Sequence, residues 1–569
     1  MAKRAHGYPQ VSLVAADLVN AAVVRAPAPV AIGAALRLAR KRDAVVVVVE
    51  ARYVLREDLV RASRLGLEDL ACTAVARDLP SVEAGAGEVT VRRLLAEGAP
   101  LVVVRDRRGP VGAVATPAAA MPDVPTAPRL ARRLPADTGA LLASIGRCAV
   151  ARGAHAFLVG GMVRDLWREG DGTSADLDVV VEGDGPAVAR DLARELGGTV
   201  REHRRFLTAS VEAPRVGRID VATARSERYE SRGALPRVMP AGIDADLRRR
   251  DFTINAMAVE LDSDVFGLLD PLGGRADLAR RRLRVLHPLS YVEDPTRLFR
   301  AARYATRFGF ALDVATARAQ ALALRLVPYA ALSGARIVAE LERILVEPRA
   351  AETLARLGRS GAFRLLDPRY RFTAVTRRLV AELPGALAWT RQRRLGVEPI
   401  ELGVLALTGD QSPPIASAAL ERLAFAGERL DHLRQALREG RARLARLSAA
   451  SAPSARARLL RELHPVALAW LRPDPQVPHP AQGAGSRRRG DHAHAQGAPR
   501  LHRPEVRRAH RGPLRRRRPR AGAGAGDVRG RPHGDRPGGR EDPRCGIASH
   551  SRRRGEPVNQ VRHWLTKGG

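Results

Sequence analysis

The sequence predicts a multidomain protein in which two mixed α/β parts precede an all-α part. Residues 1–120 place valine-rich strand patterns next to helical patterns, and residues 137–285 alternate helix and strand patterns. Residues 290–470 show an almost unbroken helical pattern. The 569 residues are enough for three or four domains, each with its own core.

Nothing in the sequence indicates a membrane or an oxidising compartment. It contains no uncharged apolar run of about 18 residues, and the N-terminus lacks the apolar core of a signal peptide. Cys72, Cys148 and Cys545 are too scattered to form a metal or disulfide spacing. We therefore predict a cytoplasmic protein with no membrane partner.

The formal net charge of +35 favours a polyanionic partner such as nucleic acid. Arginine supplies all but three of the 96 basic residues, which is typical of a GC-rich genome. Residues 471–569 contribute 24 basic and only 8 acidic residues, so nearly half of the net charge lies there. The rest of the chain is still basic enough to favour nucleic acid.

Residues 1–120 contain two blocks with the same order of helix, strand, turn and second strand. The first is AALRLARKRDAVVVVVEARYVLREDLVRA (Ala34–Ala62), and the second is VRRLLAEGAPLVVVRDRRGPVGAVATPAAA (Val91–Ala120). Their continuous valine runs are typical of strands buried against helices. This repeated order resembles a pair of CBS domains.

A CBS pair often binds adenosine nucleotides, and the resemblance implies an aspartate that contacts the ribose after the last strand. Asp58 occupies that position in the first block, whereas the second block has Ala119 there. The pair would therefore bind an adenosine nucleotide at one site or at none. The favoured alternative is a structural or dimerising module, and in the dimerising case the pair would join two copies of the protein as a homodimer.

Proline content and helical periodicity predict the remaining domain boundaries. MPDVPTAPRL is rich in proline, so residues 121–136 are predicted to be a linker before a head domain at 137–285. The helical neck and body would span 286–470, with Ser333 as a cap for the helix of SGARIVAELERIL. One face of that helix carries Ile337, Val338, Leu341, Ile344 and Leu345.

The helical pattern stops after Trp470. Residues 471–569 are rich in Arg, Gly, Pro and His, and such a composition cannot bury a core. One interpretation is a disordered basic tail that touches RNA. The other is that the reading frame slipped near Arg472, so that the tail is out-of-frame translation.

The candidate site begins with FLVGGMVRDLW, residues 157–167. FLV predicts a short strand, Gly160 and Gly161 predict a turn, and MVRDLW predicts the start of a helix. Glycines let backbone N–H groups approach an anion closely, and Arg164 offers a planar fork for phosphate oxygens. Strand–Gly–Gly–helix turns without this function are common, so the signal is weak on its own.

Asp176 and Asp178 stand two residues apart at the start of the strand pattern DLDVVVE. Residues i and i+2 of a strand point to the same side, so the two carboxylates would project together. Neighbouring carboxylates repel unless a cation lies between them, and Mg²⁺ prefers hard oxygen ligands that it shares with phosphates. Asp220, at the centre of the strand pattern GRIDVATAR, is the candidate third carboxylate. A solvated strand end is the alternative for each.

LRRRDFTINAMAVE, residues 247–260, combines three arginines and an aspartate with a helix-like apolar segment. Arg250 and Asp251 could hold ribose hydroxyls and phosphate, and Asn255 would lie one helical turn from Asp251. A surface cluster of salt bridges explains the same string equally well.

VEDPTRLFRAARYATRFGF, residues 292–310, contains Pro295, which suits the first turn of a helix. Asp294, Arg297, Arg300 and Arg303 recur every three residues, a spacing compatible with one broad helix face. Asp accepts hydrogen bonds and Arg donates them in a planar fork, so together they can match the edge of a base. A helix with solvated charges is the alternative.

These four elements in this order resemble the class II form of the bacterial tRNA nucleotidyltransferase and poly(A) polymerase family. The likeness covers about residues 135–370 and includes GGMVRD, DLD, RIDVATARSERYE, DLRRRDFTINAMA, LLDPLGGRADL and EDPTRLFRAARY. It implies a polymerase-β-like nucleotidyltransferase head, followed by a helical neck and body that bind RNA.

The resemblance also implies roles for individual residues. Asp176 and Asp178 would bind Mg²⁺, and Asp294 and Arg297 would act as a protein template for ATP or CTP. Asp277 would lie in a flexible element between head and neck. The other nucleotide-binding positions would be Gly160, Gly161, Arg164, Arg250, Asp251, Arg300 and Arg303.

The function that follows is template-independent addition of CCA, or of its terminal A, to the 3′ end of tRNA from CTP and ATP, with release of pyrophosphate. The motifs do not separate this function from CC addition or from a poly(A) polymerase, although the CBS-linked architecture slightly favours A addition. A non-catalytic RNA-binding protein that senses adenylates through the CBS pair is the alternative of another class.

Overall fold

Each of the two N-terminal blocks joins a strand that precedes it in a three-stranded sheet, whose first strand pair is parallel and whose second is antiparallel. The computed structural model of the protein describes residues 13–115, 124–168, 177–203, 206–214, 216–263 and 265–449, all within one compact unit. Residues 13–115, the N-terminal module, contain β1 (Val23–Arg25), α1 (Ile32–Lys41), β2 (Val46–Val49), β3 (Arg52–Leu55), α2 (Arg56–Arg64), β4 (Ser81–Glu83), α3 (Glu88–Ala96), β5 (Val102–Asp106) and β6 (Gly109–Val114).

The two sheets of the N-terminal module share a core. Val46 and Val48 of β2 pack with Val103 of β5 and Ala113 of β6, and all four side chains are buried. A backbone bridge between Ala21 and Ala113 also joins the sheets. The two sheets therefore share one strand topology, in line with the repeated order of elements expected from the sequence. Ala119, the position in the second block that corresponds to Asp58, lies outside the described residues.

Residues 124–285, the head, are built around an eight-stranded sheet with the order β10-β11-β12-β9-β8-β15-β16-β7. β9 and β12 run parallel, and the other neighbouring pairs are antiparallel. The elements of the head are β7 (Val124–Pro125), α4 (Ala127–Arg133), α5 (Ala136–Val150), β8 (His155–Val159), α6 (Gly161–Trp167), β9 (Leu177–Glu182), α7 (Gly185–Glu195), β10 (Thr199–His203), β11 (Thr208–Ala213), β12 (Gly217–Thr223), β13 (Arg225–Arg228), β14 (Arg237–Pro240), α8 (Ile243–Arg248), β15 (Ala258–Glu260), β16 (Gly267–Leu269), α9 (Gly274–Ala279) and β17 (Arg282–Leu283).

The segment predicted to be a linker, residues 121–136, contains part of the head. β7 pairs with β16, and α4 occupies seven of these residues. Arg129 of α4 donates to the backbone oxygen of Leu166, which holds α4 against the head. The prolines misled the prediction because Pro128 lies in the first turn of α4, where a helix tolerates proline.

The helix-like reading of FTINAMA was wrong. Residues Thr253–Asn255 form a single 3-10 turn, and the chain then continues as β15. β15 lies between β8 and β16, and both Ala258 and Val259 are fully buried. A strand buried on both faces is a continuous apolar run, which periodicity cannot distinguish from a buried helix segment.

Residues 286–449, the helical region, form helices as the sequence predicted, apart from one two-residue strand. The predicted cap Ser333 precedes α13, but its side chain makes no capping hydrogen bond. The elements of this region are α10 (Ser290–Glu293), α11 (Arg297–Phe308), β18 (Ala311–Leu312), α12 (Val314–Arg325), α13 (Gly334–Leu345), α14 (Ala350–Ser360), α15 (Ala374–Gln392), α16 (Pro399–Thr408), α17 (Pro413–Arg422) and α18 (Gly427–Ala449).

The N-terminal module contacts the head through the backbone at Gly98 and Gly273. A Cβ atom at Gly273 would lie 2.9 Å from the carbonyl carbon of Glu97 and 3.2 Å from Cα of Gly98, so no side chain separates the two backbones. Both glycines have positive φ, +87° and +71°, which other residues rarely adopt. Arg280 and Glu97 add an ion pair at 3.3 Å.

Among the residues that the structure describes, no helix has the length and apolar character needed to cross a membrane. The predicted tail at 471–569 lies outside the described residues, so the two interpretations of it remain open.

Burial of two cysteines gives a test of the fold. Burial raises the pKa of Cys72 and of Cys148 to about 12, and a hydrogen bond to Glu195 contributes at Cys148. At pH 8 the thiolate fraction should be about 10⁻⁴, so iodoacetamide should leave both cysteines unmodified in the native protein. Peptide mass spectrometry should find both alkylated after urea denaturation. Rapid native labelling of either would contradict its buried placement.

Candidate active site

The turn between β8 and α6 brings the backbone of Gly160 against the side chain of Asp178. β8 ends at Val159, whose partner on the antiparallel strand β9 is Asp178. Gly160 has a φ of +76°, a left-handed conformation that glycine adopts without strain. A Cβ atom at Gly160 would lie 3.0 Å from Oδ2 of Asp178. The glycine turn and one of the predicted carboxylates therefore face each other.

Asp178 and Asp220 are paired residues on the parallel strands β9 and β12, so their side chains lie on the same face of the sheet. Oδ1 of Asp220 accepts hydrogen bonds from Arg218 Nη2 at 2.8 Å and from Ser210 Oγ at 2.6 Å. Asp176, the other half of the predicted pair, lies outside the described residues. Within the described residues, no group of three or more His, Cys, Asp or Glu side chains forms a metal site.

Arg164 on α6 is 5% exposed, and its guanidinium joins three parts of the site. Nε and Nη2 donate to the two carboxylate oxygens of Asp165, each at 3.0 Å, and Nη1 donates to Oδ1 of Asn255 at 3.0 Å. The guanidinium carbon also lies 4.7 Å from the ring centre of Phe308. Arg164 thus connects the glycine turn to the 3-10 turn and to α11.

An ion pair between buried Asp251 and half-buried Arg300 links the head to the helical region. Nε and Nη2 of Arg300 lie 2.8 and 2.7 Å from Oδ2 of Asp251, and the Asn255 amide donates to Oδ1 at 3.0 Å. Burial alone would raise the pKa of Asp251, but Arg300 and Asn255 hold it below its ordinary value. Burial would lower the pKa of Arg300, yet Asp251 raises it well above its ordinary value. Both groups therefore stay charged at neutral pH.

Arg249 and Arg250 both donate to Asp246, a fully buried carboxylate on α8. Nη2 of Arg249 lies 2.7 Å from Oδ1, and Nη2 of Arg250 lies 2.9 Å from Oδ2. Burial would raise the pKa of Asp246, but the two arginines hold it below its ordinary value. Arg250, a predicted phosphate ligand, is therefore held by Asp246, four residues earlier in the chain.

The predicted base-reading residues Asp294 and Arg297 lie where α10 meets α11, not on one helix. Asp294 is the C-cap residue of α10, and Arg297 is the first residue of α11. Nη2 of Arg336 lies 2.7 Å from Oδ1 of Asp294, and Thr296 donates to the same oxygen. Burial would raise the pKa of Asp294, but Arg336 and Arg297 hold it below its ordinary value.

Arg297 is 5% exposed and anchors α11 to both neighbouring segments. Nη1 donates to Oγ of Ser290 on α10 at 2.7 Å, and Nη2 donates to the backbone oxygen of Arg249 at 2.8 Å. The side chain therefore connects the head to the start of the helical region.

Arg303, two turns along α11, is 6% exposed. Its nearest carboxylate oxygens belong to Glu347 at 3.7 Å and Glu340 at 3.8 Å, which is beyond hydrogen-bond distance. Within the described part of the chain, Nε and Nη2 of Arg303 have no hydrogen-bond partner. Arg303 is therefore held between two glutamates by charge alone, with two donors left unsatisfied among the described residues.

Sequence reasoning missed the two residues that hold the predicted site residues in place, Arg336 and Asp246. Arg336 is buried on α13 although it lies off the apolar face that the sequence predicted, so periodicity gave no signal for it. Asp246 precedes Arg249 and Arg250 by three and four residues, the spacing at which side chains meet on a helix.

The sequence of the head and of the adjoining helices is similar to that of known proteins. Residues 156–284 match the family model of the poly A polymerase head domain. The A-adding tRNA nucleotidyltransferase of Geobacter sulfurreducens is 38% identical over 281 residues, which are 49% of this chain and 32% of that protein. The CC-adding tRNA nucleotidyltransferase of Deinococcus radiodurans is 37% identical over 275 residues, which are 48% of this chain and 67% of that protein.

The fold is shared with solved structures. A CCA-adding enzyme in an apo form gives a TM-score of 0.55 at 30% identity, covering 61% of this chain and 81% of that one. The head and its helices therefore define a protein of the nucleotidyltransferase class. This chain belongs to the tRNA nucleotidyltransferase and poly(A) polymerase family. It covers 32% and 51% of the lengths of the A-adding relatives from Geobacter sulfurreducens and Halalkalibacterium halodurans.

Replacing Arg336 with alanine should destabilise the protein by about 3 kcal/mol, because the Asp294 carboxylate would stay buried without its closest cation. The free energy of unfolding, measured by urea titration, checks this. Arg359→Ala removes an exposed arginine of α14 and should change that energy by less than about 0.5 kcal/mol. Equal losses in the two variants would contradict the buried pairing.

Proposed function

We propose that the protein transfers nucleotides from ATP, or from CTP and ATP, to the 3′ end of tRNA. The observation that carries this proposal is the position of Asp178, against the Gly160 turn and beside Asp220 on the next strand. The relatives named A-adding and CC-adding tRNA nucleotidyltransferases support the same chemistry. Solved CCA-adding enzymes of similar fold include a complex with ATP and one with tRNA, which supports those two partners.

In the proposed reaction the terminal 3′-hydroxyl oxygen of the RNA attacks the α-phosphorus of the nucleotide. A new O–P bond forms, the bond from the α-phosphorus to the bridging oxygen breaks, and pyrophosphate leaves with that electron pair. The hydroxyl proton passes to a carboxylate of the site. Such a reaction needs alignment and charge neutralisation more than covalent help from the protein.

Asp176, Asp178 and Asp220 are the residues that would hold Mg²⁺. Carboxylate side chains on the same sheet face, at paired positions of neighbouring strands, fit a hard divalent cation. When bound, the ion neutralises charge on the phosphates. Arg218 and Ser210 hold the Asp220 carboxylate in place by hydrogen bonds.

The nucleotide itself would lie between the glycine turn and α11. Asp294 and Arg297 would read the edge of the base, and Arg336 fixes the Asp294 carboxylate before any base arrives. The buried, unbonded donors of Arg303 would bind phosphate oxygens. The remaining proposed nucleotide contacts are Gly160, Gly161, Arg164, Arg250, Asp251 and Arg300.

We infer a structural role for the N-terminal module, which resembles a CBS pair. Asp58, the position expected to contact a ribose, is fully buried, and Arg77 donates to its two oxygens at 2.6 and 2.8 Å. Arg77 also donates to the backbone oxygen of Leu286 at 3.1 Å. Arg77 therefore links Asp58 of the module to the start of the helical region, which supports a structural role. Adenosine-nucleotide binding at Asp58 and homodimer formation through the module stay predictions.

Terminal A addition is the favoured form of the reaction, since the relatives at 38% and 40% identity carry that name. CC addition and poly(A) synthesis differ from it in the nucleotide used and in product length. A non-catalytic, adenylate-sensing protein would give no product at all.

Asp178→Ala should lower nucleotide incorporation by about 10²–10³-fold or more, the range for removing a group that stabilises transition-state charge. The assay incubates the protein with Mg²⁺, tRNA lacking its 3′ CCA or terminal A, and each labelled nucleotide separately. Product lengths on a sequencing gel identify the form of the reaction.

Glu212→Ala is the matched control for Asp178→Ala, because Glu212 is an exposed carboxylate on the nearby strand β11. It should leave incorporation unchanged. Normal turnover by Asp178→Ala would refute the proposed site, and absence of product with the unaltered protein would refute the proposed function.

Gly160→Ala should lower incorporation by about tenfold or more, because its Cβ atom would press on the Asp178 carboxylate and displace it. Gly153→Ala is the control: it has a similar φ of +64°, and no atom lies within 4 Å of the added Cβ. Both variants should lose about 1–2 kcal/mol of stability from the left-handed backbone, as measured by urea unfolding. A similar incorporation loss in both would show that backbone strain, and not Asp178, explains the effect.

A further inference from the structure

A pocket of about 330 Å³ lies where α2 of the N-terminal module faces the head and the end of α10. We call it the junction pocket; its walls come from Arg56–Arg64, Glu227–Tyr229 and Glu293. Small-molecule sites have volumes of roughly 300–1,000 Å³. None of the residues proposed above for catalysis or nucleotide binding lines this pocket.

Arginines from both walls converge on the junction pocket. Arg61 and Arg64 are three residues apart on one face of α2, and Arg228 reaches the pocket from β13. Partial burial, and then the nearby charges of Arg228 and Arg61, lower the pKa of Arg64. Within the described part of the chain, Arg64 has no hydrogen bond or ion pair. Like charges held this close together favour a bound anion.

Three carboxylates line the junction pocket, and the nearest cation of each lies outside it; for Glu57 that cation is Arg77, at 3.9 Å. Glu227 pairs with Arg249 at 3.0 Å, and Glu293 lies 3.2 Å from His287. Arg61 is 3.6 Å from Glu293, which is too long for a hydrogen bond. Nε of Arg228 pairs with Glu230 at 3.0 Å, and Arg56 pairs with Asp43 at 2.7 Å. Arg64 and Arg61, which have no such short contact within the described residues, therefore keep donors for a ligand.

We propose that the junction pocket binds the diphosphate group of a small molecule, either a nucleoside di- or triphosphate or inorganic pyrophosphate, at a site separate from Asp178 and Gly160. The planar forks of Arg61, Arg64 and Arg228 match phosphate oxygens. Val60 and Tyr229 supply the apolar part of the wall. This inference goes beyond the proposed transfer reaction and does not depend on it.

Glu293 connects the junction pocket to the proposed base-reading residues. It directly precedes Asp294, and its backbone oxygen accepts a hydrogen bond from the N–H of Gly233 at 3.2 Å. A bound anion draws Arg61 away from Glu293 and so changes the charge balance beside Asp294. An anion bound in the junction pocket would thereby affect Asp294, one of the two proposed base-reading residues.

Isothermal titration calorimetry of the full chain in EDTA, with ADP, with inorganic pyrophosphate and with tRNA as separate ligands, tests this proposal. Arg64→Glu should weaken binding of ADP, and of pyrophosphate if the diphosphate alone suffices, by at least about tenfold. Arg228→Glu, from the opposite wall, should do the same. Arg40→Glu, which reverses an exposed arginine of α1, should stay within about twofold of the unaltered protein. Asp178→Ala, titrated in parallel, reports binding at the proposed active site.

Loss of ADP or pyrophosphate affinity in both pocket variants, with the Arg40→Glu control unchanged, would support the site. The proposal is overturned if the unaltered protein binds neither ligand, or if Arg64→Glu binds both normally. It is also overturned if only tRNA binding falls, or if only Asp178→Ala loses affinity. Failure of nucleotide incorporation would refute the proposed function without affecting these titrations.

Discussion

The ion pair between Asp251 and Arg300 is the interaction on which the rest of the site depends. Asp251 is buried and could not stay charged without a cation, and half-buried Arg300 supplies it, so the pair fixes the head against α11. Asp251 also holds the Asn255 amide, and Asn255 in turn accepts from Arg164 beside the Gly160 turn. One continuous chain of hydrogen bonds therefore runs from the helical region to the phosphate-binding end of the proposed site.

Other aspartates near this chain of hydrogen bonds are also paired with arginines. Asp246 holds Arg249 and Arg250, and Arg336 holds Asp294, each through contacts shorter than 3 Å. Arginine suits this use because its rigid fork can bridge a carboxylate and a backbone oxygen at once. A genome bias towards arginine could supply the residues, but their pairing with buried aspartates is a property of the fold. These charged side chains are thus already paired with one another in the structure.

Local patterns were enough to locate the elements that carry the site. The strand with Asp178, the strand with Asp220 and the Gly160 turn were all found from sequence, because strand periodicity and glycine are local signals. Sequence could not reveal that β9 and β12 pair in register, nor that α4 completes the head, since both depend on residues far apart in the chain. It also could not show which arginines are already paired, because solvated and buried arginines have the same spacing.

The close backbone contact between Gly98 and Gly273 constrains how the N-terminal module and the head can be placed. Gly273 lies in the GGRADL segment, which the sequence resemblance places in a flexible element between head and neck. The main chain of Glu97 and Gly98 packs directly against Gly273, with no side chain between the two backbones. A displacement of the chain at Gly273 towards the module would therefore require the backbone at Glu97 and Gly98 to move as well.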